Sequence, residues 1–208
     1  DGIRDWSVTG VQTCALPIYI NKSINIYLYE KSNLLKNVQR KKLKGSKVKW
    51  IKDFDRINKG PVIFFGNEFF DAIPIKQFKK HKSFLLEKNY SLDRECRIRE
   101  VFRKTSISNI KAIKSYKSLS KLDFIEFPKL GLKELKKITK KITELNGCVL
   151  LVDYGYRKSN NENTLQSVMK HKKNSLLDNL GKADVTAHVN FGLLHEFFLK
   201  NGLKLIPI

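Results

Sequence analysis

Three short apolar runs constrain the fold more than any other feature of the chain. "INIYLYE" (Ile24 to Glu30), "PVIFFG" (Pro61 to Gly66) and "CVLLVDYG" (Cys148 to Gly155) are too short for ordinary helices and almost continuously apolar. Runs of this kind are buried strands. With helical segments between them they predict an α/β fold built on a parallel sheet covered on both faces.

The intervening segments fit that frame. "KSNLLKNVQRKKL" puts Leu34, Leu35, Val38 and Leu43 at helical spacing, and "KVKWI" reads as a further short strand. "LKELKKITKKITELNG" carries Leu132, Leu135, Ile138, Ile142 and Leu145 on one face, with Gly147 expected to close it as a left-handed cap. "FGLLHEFFLK" is a last helix, capped by Asn190 and ended by Gly202. Between Ile75 and Arg103 the sequence is lysine-rich and alternating, which predicts antiparallel strands with their polar faces in water. Residues 75–130 therefore read as an inserted β-rich region. The final "LKLIPI" reads as a strand that breaks off, so the C-terminus is expected to be cut.

The other end carries a foreign signature. The chain starts on Asp1 and has no methionine before Met169, which reads as a fragment. "DWSVTGVQTCALPI" (Asp5 to Ile18) resembles the translation of a sequencing adapter, so residues 1–18 are set aside and the biology is taken to begin near Tyr19.

In open α/β sheets ligands bind at the carboxyl ends of the strands. Here the first run ends on Glu30, the second continues into Asn67 and Glu68 with Asp71 shortly after, and the third ends on Asp153. Folding alone gives no reason to set these groups into apolar sequence, because an unpaired buried polar group costs about 1–3 kcal/mol. Three such endings place a site along one crevice. Glu30 suits the ribose hydroxyls of an adenosine-containing cofactor, the role of a carboxylate after the second strand of a nucleotide-binding sheet. The preceding strand and its glycine-rich turn do not occur within residues 19–208.

Composition adds limits. No run approaches the roughly 18 apolar residues of a membrane span. Cys14, Cys96 and Cys148 are far apart and make neither a disulfide framework nor a zinc site, so no metal is expected and a reducing compartment fits. The net charge of +21 invites a nucleic-acid reading, but lysine far exceeds arginine and the cations are scattered. That pattern is a solvated surface written by an AT-rich coding sequence, able to bind anions without specificity.

"GNEFFDAIPIKQF", "LLVDYGY", "TLQ" and "GKADVTAHVNF" closely resemble the MidA family of S-adenosylmethionine-dependent methyltransferases, relatives of the mitochondrial complex I assembly methyltransferase. The resemblance runs from about Asn25 to Leu205, with Asn190 standing where the family usually has aspartate. It implies a fragment of a seven-stranded class I, Rossmann-like methyltransferase sheet, with the inserted β region on the substrate side. It implies S-adenosylmethionine as cofactor and methyl transfer to an arginine of a quinone-side subunit of respiratory complex I. The compartment would be the bacterial cytoplasm, or the mitochondrial matrix in a eukaryote. On these positions Glu30, Asn67 and Asp153 are the candidate cofactor-binding residues. A fragment without the glycine-rich turn is expected to be inactive.

Arginine stays cationic at biological pH. Methylating it requires the planar guanidinium to be held in line with the methyl group. Glu68 and Asp71, three residues apart at an expected helix start, could grip it bidentately, and His188 is a candidate proton acceptor. Blander roles stay open beside these: Asp71 as a helix cap, His188 as a structural histidine and Tyr154 as core. Two other functions stay open as well, a nucleic-acid base methyltransferase and a basic binding module.

Overall fold

The computed structural model describes residues 24–158 and 160–206, so the adapter-like segment lies outside the described residues. The chain divides into two compact units that meet between Asn58 and Lys59.

In the first unit, β1 (Ile26–Tyr29) and β2 (Val48–Ile51) pair in parallel, from Ile26 opposite Val48 to Tyr29 opposite Ile51. The connection carries α1 (Asn33–Lys42). Ser32 starts this helix by accepting the Leu35 N–H on its hydroxyl at 3.2 Å, and Arg40, Lys41 and Lys42 sit in the last turn, where the helix dipole favours cations. Ile51 and Phe54 are buried, and the Tyr29 and Phe54 rings lie 4.6 Å apart. The apolar face expected of α1 is not buried: Leu34 and Val38 are exposed.

The second unit holds β3 (Ile63–Asn67), β4 (Lys76–His81), β5 (Phe84–Leu92), β6 (Ile98–Lys104), α2 (Ile107–Lys114), a 3₁₀ turn (Lys117–Leu119), β7 (Phe124–Phe127) and α3 (Lys129–Leu145). It continues with β8 (Cys148–Val152), β9 (Gly155–Tyr156), β10 (Gln166–Met169), β11 (Lys172–Asn174), β12 (Asp184–Thr186), β13 (Val189–Asn190) and α4 (Phe191–Lys200). β3 and β8 form a parallel pair, from Ile63 opposite Cys148 to Asn67 opposite Val152. The lysine-rich region is an antiparallel sheet in the order β6-β5-β4-β7. A further antiparallel sheet runs β11-β10-β12, and β13 pairs in parallel with β9.

The core is not centred where the apolar runs predict. The deepest side chains are Phe78 of β4, Ile125 and Phe127 of β7, Leu135 of α3 and Leu193 of α4. By contrast Ile63, Phe65, Leu150 and Val152, on one face of the β3–β8 pair, are 77, 50, 38 and 49% exposed. The expectation of a parallel sheet covered on both faces is thus corrected for this pair: the strands are parallel, but in both of them alternate residues are half-buried and the others exposed.

Three local expectations also change. No helix starts after β3; residues 68–73 turn instead, with the Ile73 N–H reaching the Phe70 carbonyl at 3.2 Å. The left-handed residue closing α3 is Asn146, at φ 54°, because a short amide tolerates that region. Gly147 serves close approach: a Cβ there would stand 2.2 Å from the Val62 carbonyl oxygen. Residues 203–206 form no strand, since no described strand pairs with them. Asn190 caps α4 as expected, accepting the Leu193 N–H at 2.9 Å, and Gly202 follows the helix at φ 78°.

Two contacts of this core can be tested. A Cβ at Gly131 on α3 would lie 2.7 Å from Cζ of buried Phe70. Gly131→Ala gains about 1 kcal/mol of helix propensity but overpacks the ring at about 1–3 kcal/mol. Its urea midpoint should fall while the m-value stays constant.

Glu196 on α4 caps the 3₁₀ turn, accepting the Lys117 N–H at 2.8 Å and the Ser118 N–H at 3.0 Å, with Lys200 3.0 Å away. Burial pushes its carboxyl up, but those backbone hydrogen bonds and Lys200 outweigh burial and bring it from 4.5 down to about 2. A depressed carboxyl contributes stability above its unfolded pKa and loses it as pH falls through the folded value. The contribution therefore disappears between about 4.5 and about 2. Glu196→Gln should cost about 2 kcal/mol at neutral pH and flatten the acid limb of a stability-against-pH curve.

Candidate functional site

Parallel pairing of β3 with β8 brings their carboxyl ends side by side, and the ladder extends one step further through the Glu68 N–H to the Val152 carbonyl at 2.8 Å. Asn67 and Asp153 therefore flank each other's strands, as the strand-end rule anticipates. Asp153 then ties the two ends together. Its Oδ2 accepts the Phe70 N–H at 2.7 Å and the Asp71 N–H at 3.2 Å, and its Oδ1 accepts the Tyr154 N–H at 2.8 Å. A charged acceptor satisfying several backbone donors is the strong form of a turn cap.

That cap shapes what precedes it. Glu68 sits at φ 44°, a left-handed conformation that costs a non-glycine residue about 1–2 kcal/mol. Phe70 is buried, Asp71 is 6% exposed, and Glu68 is half-buried. Glu68 and Asp71 thus come from a turn rather than from one face of a helix.

The loop before α4 closes the other side. The Ala187 N–H donates to the Asp71 carbonyl at 3.0 Å, the His188 N–H to Thr164 Oγ1 at 3.0 Å, and the Val189 N–H to the Tyr154 carbonyl at 2.8 Å. Three consecutive amides are held by three different segments, so the backbone under His188 is fixed while its side chain is exposed. Beside it lies a cavity of about 20 Å³, room for one water, lined in part by Phe70, Glu126, Tyr156, His188 and Asn190. Burial, then the charges of Glu126 and Glu162, push the Tyr156 phenol up to about 12, against a lowering hydrogen bond with Asn190.

Glu126 escaped the sequence reading. It is a buried carboxylate on β7 whose Oε1 accepts the Gln77 amide at 2.8 Å and the Thr164 and Leu165 N–H groups at 3.1 and 3.3 Å, while Oε2 accepts the Thr164 hydroxyl. Its signal was one acid inside "FIEF", a strand otherwise wholly apolar.

Glu30 belongs to the first unit, at the end of β1. Its carboxylate accepts the Ser32 N–H at 2.7 Å and the Gln39 amide at 3.3 Å, and Gln39 in turn accepts the Trp50 indole N–H at 3.0 Å. Among the described residues no group of His, Cys, Asp and Glu is arranged to hold a metal, and no helix is long and apolar enough to cross a membrane.

Comparison with known proteins follows the same lines. Residues 13–208 match the family model for S-adenosyl-L-methionine-dependent methyltransferases. A mitochondrial protein arginine methyltransferase NDUFAF7 homologue of Caenorhabditis elegans is 31% identical over 196 residues, covering 92% of this chain and 46% of the relative. The Xenopus laevis protein arginine methyltransferase NDUFAF7 is 27% identical over 187 residues, 90% of this chain and 42% of its own. In fold the chain is similar to a COG1565 superfamily protein of Burkholderia thailandensis, described as a methyl transferase bound to S-adenosyl-homocysteine. Its TM-score is 0.68 at 19% identity, over 86% of this chain and 49% of that one. The chain spans about half the length of the relatives it matches.

The knot at Asp153 is open to test. Asp153→Asn replaces a charged acceptor by an amide whose NH₂ faces backbone donors, at a cost of about 1.5–3 kcal/mol. Amide exchange at Phe70 and Asp71 should rise with the loss of stability, and unchanged protection there would remove Asp153 as the tie.

Proposed function

Because the chain belongs to the S-adenosyl-L-methionine-dependent methyltransferase family, we propose that it bears the acceptor side and part of the cofactor side of a site that methylates an arginine of a protein. The observation that carries this reading is the gathering of Asn67, Glu68, Asp71 and Asp153 at the joined ends of β3 and β8, beside the fixed backbone of His188. The arginine methyltransferase relatives support the choice of acceptor. The family resemblance points further, to a quinone-side subunit of respiratory complex I. The compartment is then the mitochondrial matrix in a eukaryote and the cytoplasm in a bacterium.

The residues present fit the cofactor in part. Glu30 uses one acceptor position on each carboxylate oxygen for Ser32 and Gln39. A carboxylate offers roughly four, so ribose hydroxyls remain within its chemistry. In the second unit Asn67 would contribute an amide from the end of β3, and Asp153 holds the turn on which that end depends. The one-water cavity beside His188 is not the place for a nucleoside. When bound, S-adenosylmethionine supplies an electrophilic sulfonium methyl group.

The chain's own groups do the rest. Glu68 accepts hydrogen bonds from the guanidinium and fixes its plane, so that one nitrogen is aligned for attack. Asp71, buried beneath the same turn, adds a second carboxylate that favours the cation. The nitrogen that gains a methyl sheds a proton, and the exposed His188 imidazole accepts it. A cation site of this kind favours arginine over a flipped nucleobase, which aromatic stacking would hold.

Glu68→Gln in the full-length protein should lower kcat for arginine methylation about 100-fold, on the order of 3 kcal/mol, with affinity for S-adenosyl-homocysteine unchanged. Radiolabelled methyl transfer and calorimetry check the two halves. Unaltered turnover removes Glu68 from the mechanism, and label found in nucleic acid instead of protein overturns the reading.

A further inference from the structure

A buried carboxylate on a sheet needs a reason, since burying an unpaired charge is costly. Glu126, 7% exposed, is engaged on both oxygens: Oε1 accepts from the Gln77 amide and the Thr164 and Leu165 N–H groups, and Oε2 accepts the Thr164 hydroxyl. Four donors from β4 and the loop around Thr164 converge on one buried charge. Its work is to hold other groups.

What it holds leads to the site. The Thr164 hydroxyl has one proton, and it donates that proton to Glu126. The hydroxyl's lone pairs are thereby turned away from the carboxylate, and one accepts the His188 N–H at 3.0 Å. The polar loop that carries Thr164 is fastened along its length. Asn161 Oδ1 accepts the Asp123 and Phe124 N–H groups at 2.8 and 3.2 Å, and Asn163 Oδ1 accepts the Gln77 amide at 2.7 Å. The chain of contacts therefore runs from β4 and β7 through the loop to the backbone of an exposed histidine.

We propose that Glu126 is a positioning residue: acting through the Thr164 hydroxyl, it sets the segment that presents His188 to the methyl acceptor. The kinetic half of this proposal rests on the arginine-methylation reading, and the structural half stands without it. A threonine hydroxyl is required rather than merely a β-branched side chain. A neutral amide at position 126 would place an NH₂ group against donors, and the hydroxyl would lose its fixed direction.

The test compares Thr164→Val, Thr164→Ser and Glu126→Gln in the full-length protein. Amide hydrogen exchange at His188 should accelerate about tenfold in Thr164→Val and Glu126→Gln and return to the wild-type rate in Thr164→Ser, with the β5–β6 hairpin unmoved. In the same proteins kcat should fall about tenfold in the first two and recover in Thr164→Ser, while S-adenosyl-homocysteine affinity stays within about twofold. If Glu126→Gln does not fold, the valine and serine pair decides. Unchanged protection at His188 in Thr164→Val overturns the proposal, as does a parallel loss of kcat and cofactor affinity. A wild-type protein that methylates no arginine refutes the function reading alone, because the exchange experiment still reports whether the link to His188 exists.

Discussion

One side chain organises the ends of the paired strands β3 and β8. Asp153 receives three backbone N–H groups, two from the turn after β3 and one from its own strand end. Without a charged acceptor at that point, the amides of Phe70 and Asp71 would need other partners in a partly buried place. The turn is then held from both sides, because the Asp71 carbonyl accepts the Ala187 N–H and so joins the loop before α4 to the same knot. The geometry thus gives Asp153 architectural work at the strand ends, whatever else it binds there.

The left-handed backbone at Glu68 belongs to the same account. A glutamate gains nothing by itself from φ 44°, and glycine would adopt it without cost. Strain of this sort persists where surrounding contacts over-determine it and is concentrated at functional positions. The Glu68 N–H to the Val152 carbonyl and the Asp153 cap immediately after supply those contacts.

Much of the element order could be read in the sequence, because it is written in local periodicity. β1, α1, β2, β3, α3, β8 and α4 follow their apolar spacing, and Asn190 caps α4 through a contact only three residues away. The adjacency of Asn67 and Asp153 was legible too, since parallel strands align their ends. The failures are non-local. Glu126 is held by Gln77 and by a loop 38 residues away, and no spacing rule links them. The lysine-rich stretch is the antiparallel sheet its alternation predicts, but nothing in it marked Phe78 of β4 as part of the deepest core, since the neighbouring strands and not the composition decide burial. At the end of α3 the glycine rule pointed one residue too far, because asparagine took the left-handed position and glycine was needed for clearance.

The open face of the β3–β8 pair sets the colloidal behaviour of the chain. Ile63, Phe65, Leu150 and Val152 form an apolar strip facing solvent on a molecule that carries a net charge of +21. At low ionic strength mutual repulsion keeps such strips apart, over a Debye length of about 30 Å at 0.01 M salt. Near 1 M that length shrinks to about 3 Å, and the apolar strips are free to meet. Added salt should therefore drive these molecules together, whereas an association held by opposite charges would loosen.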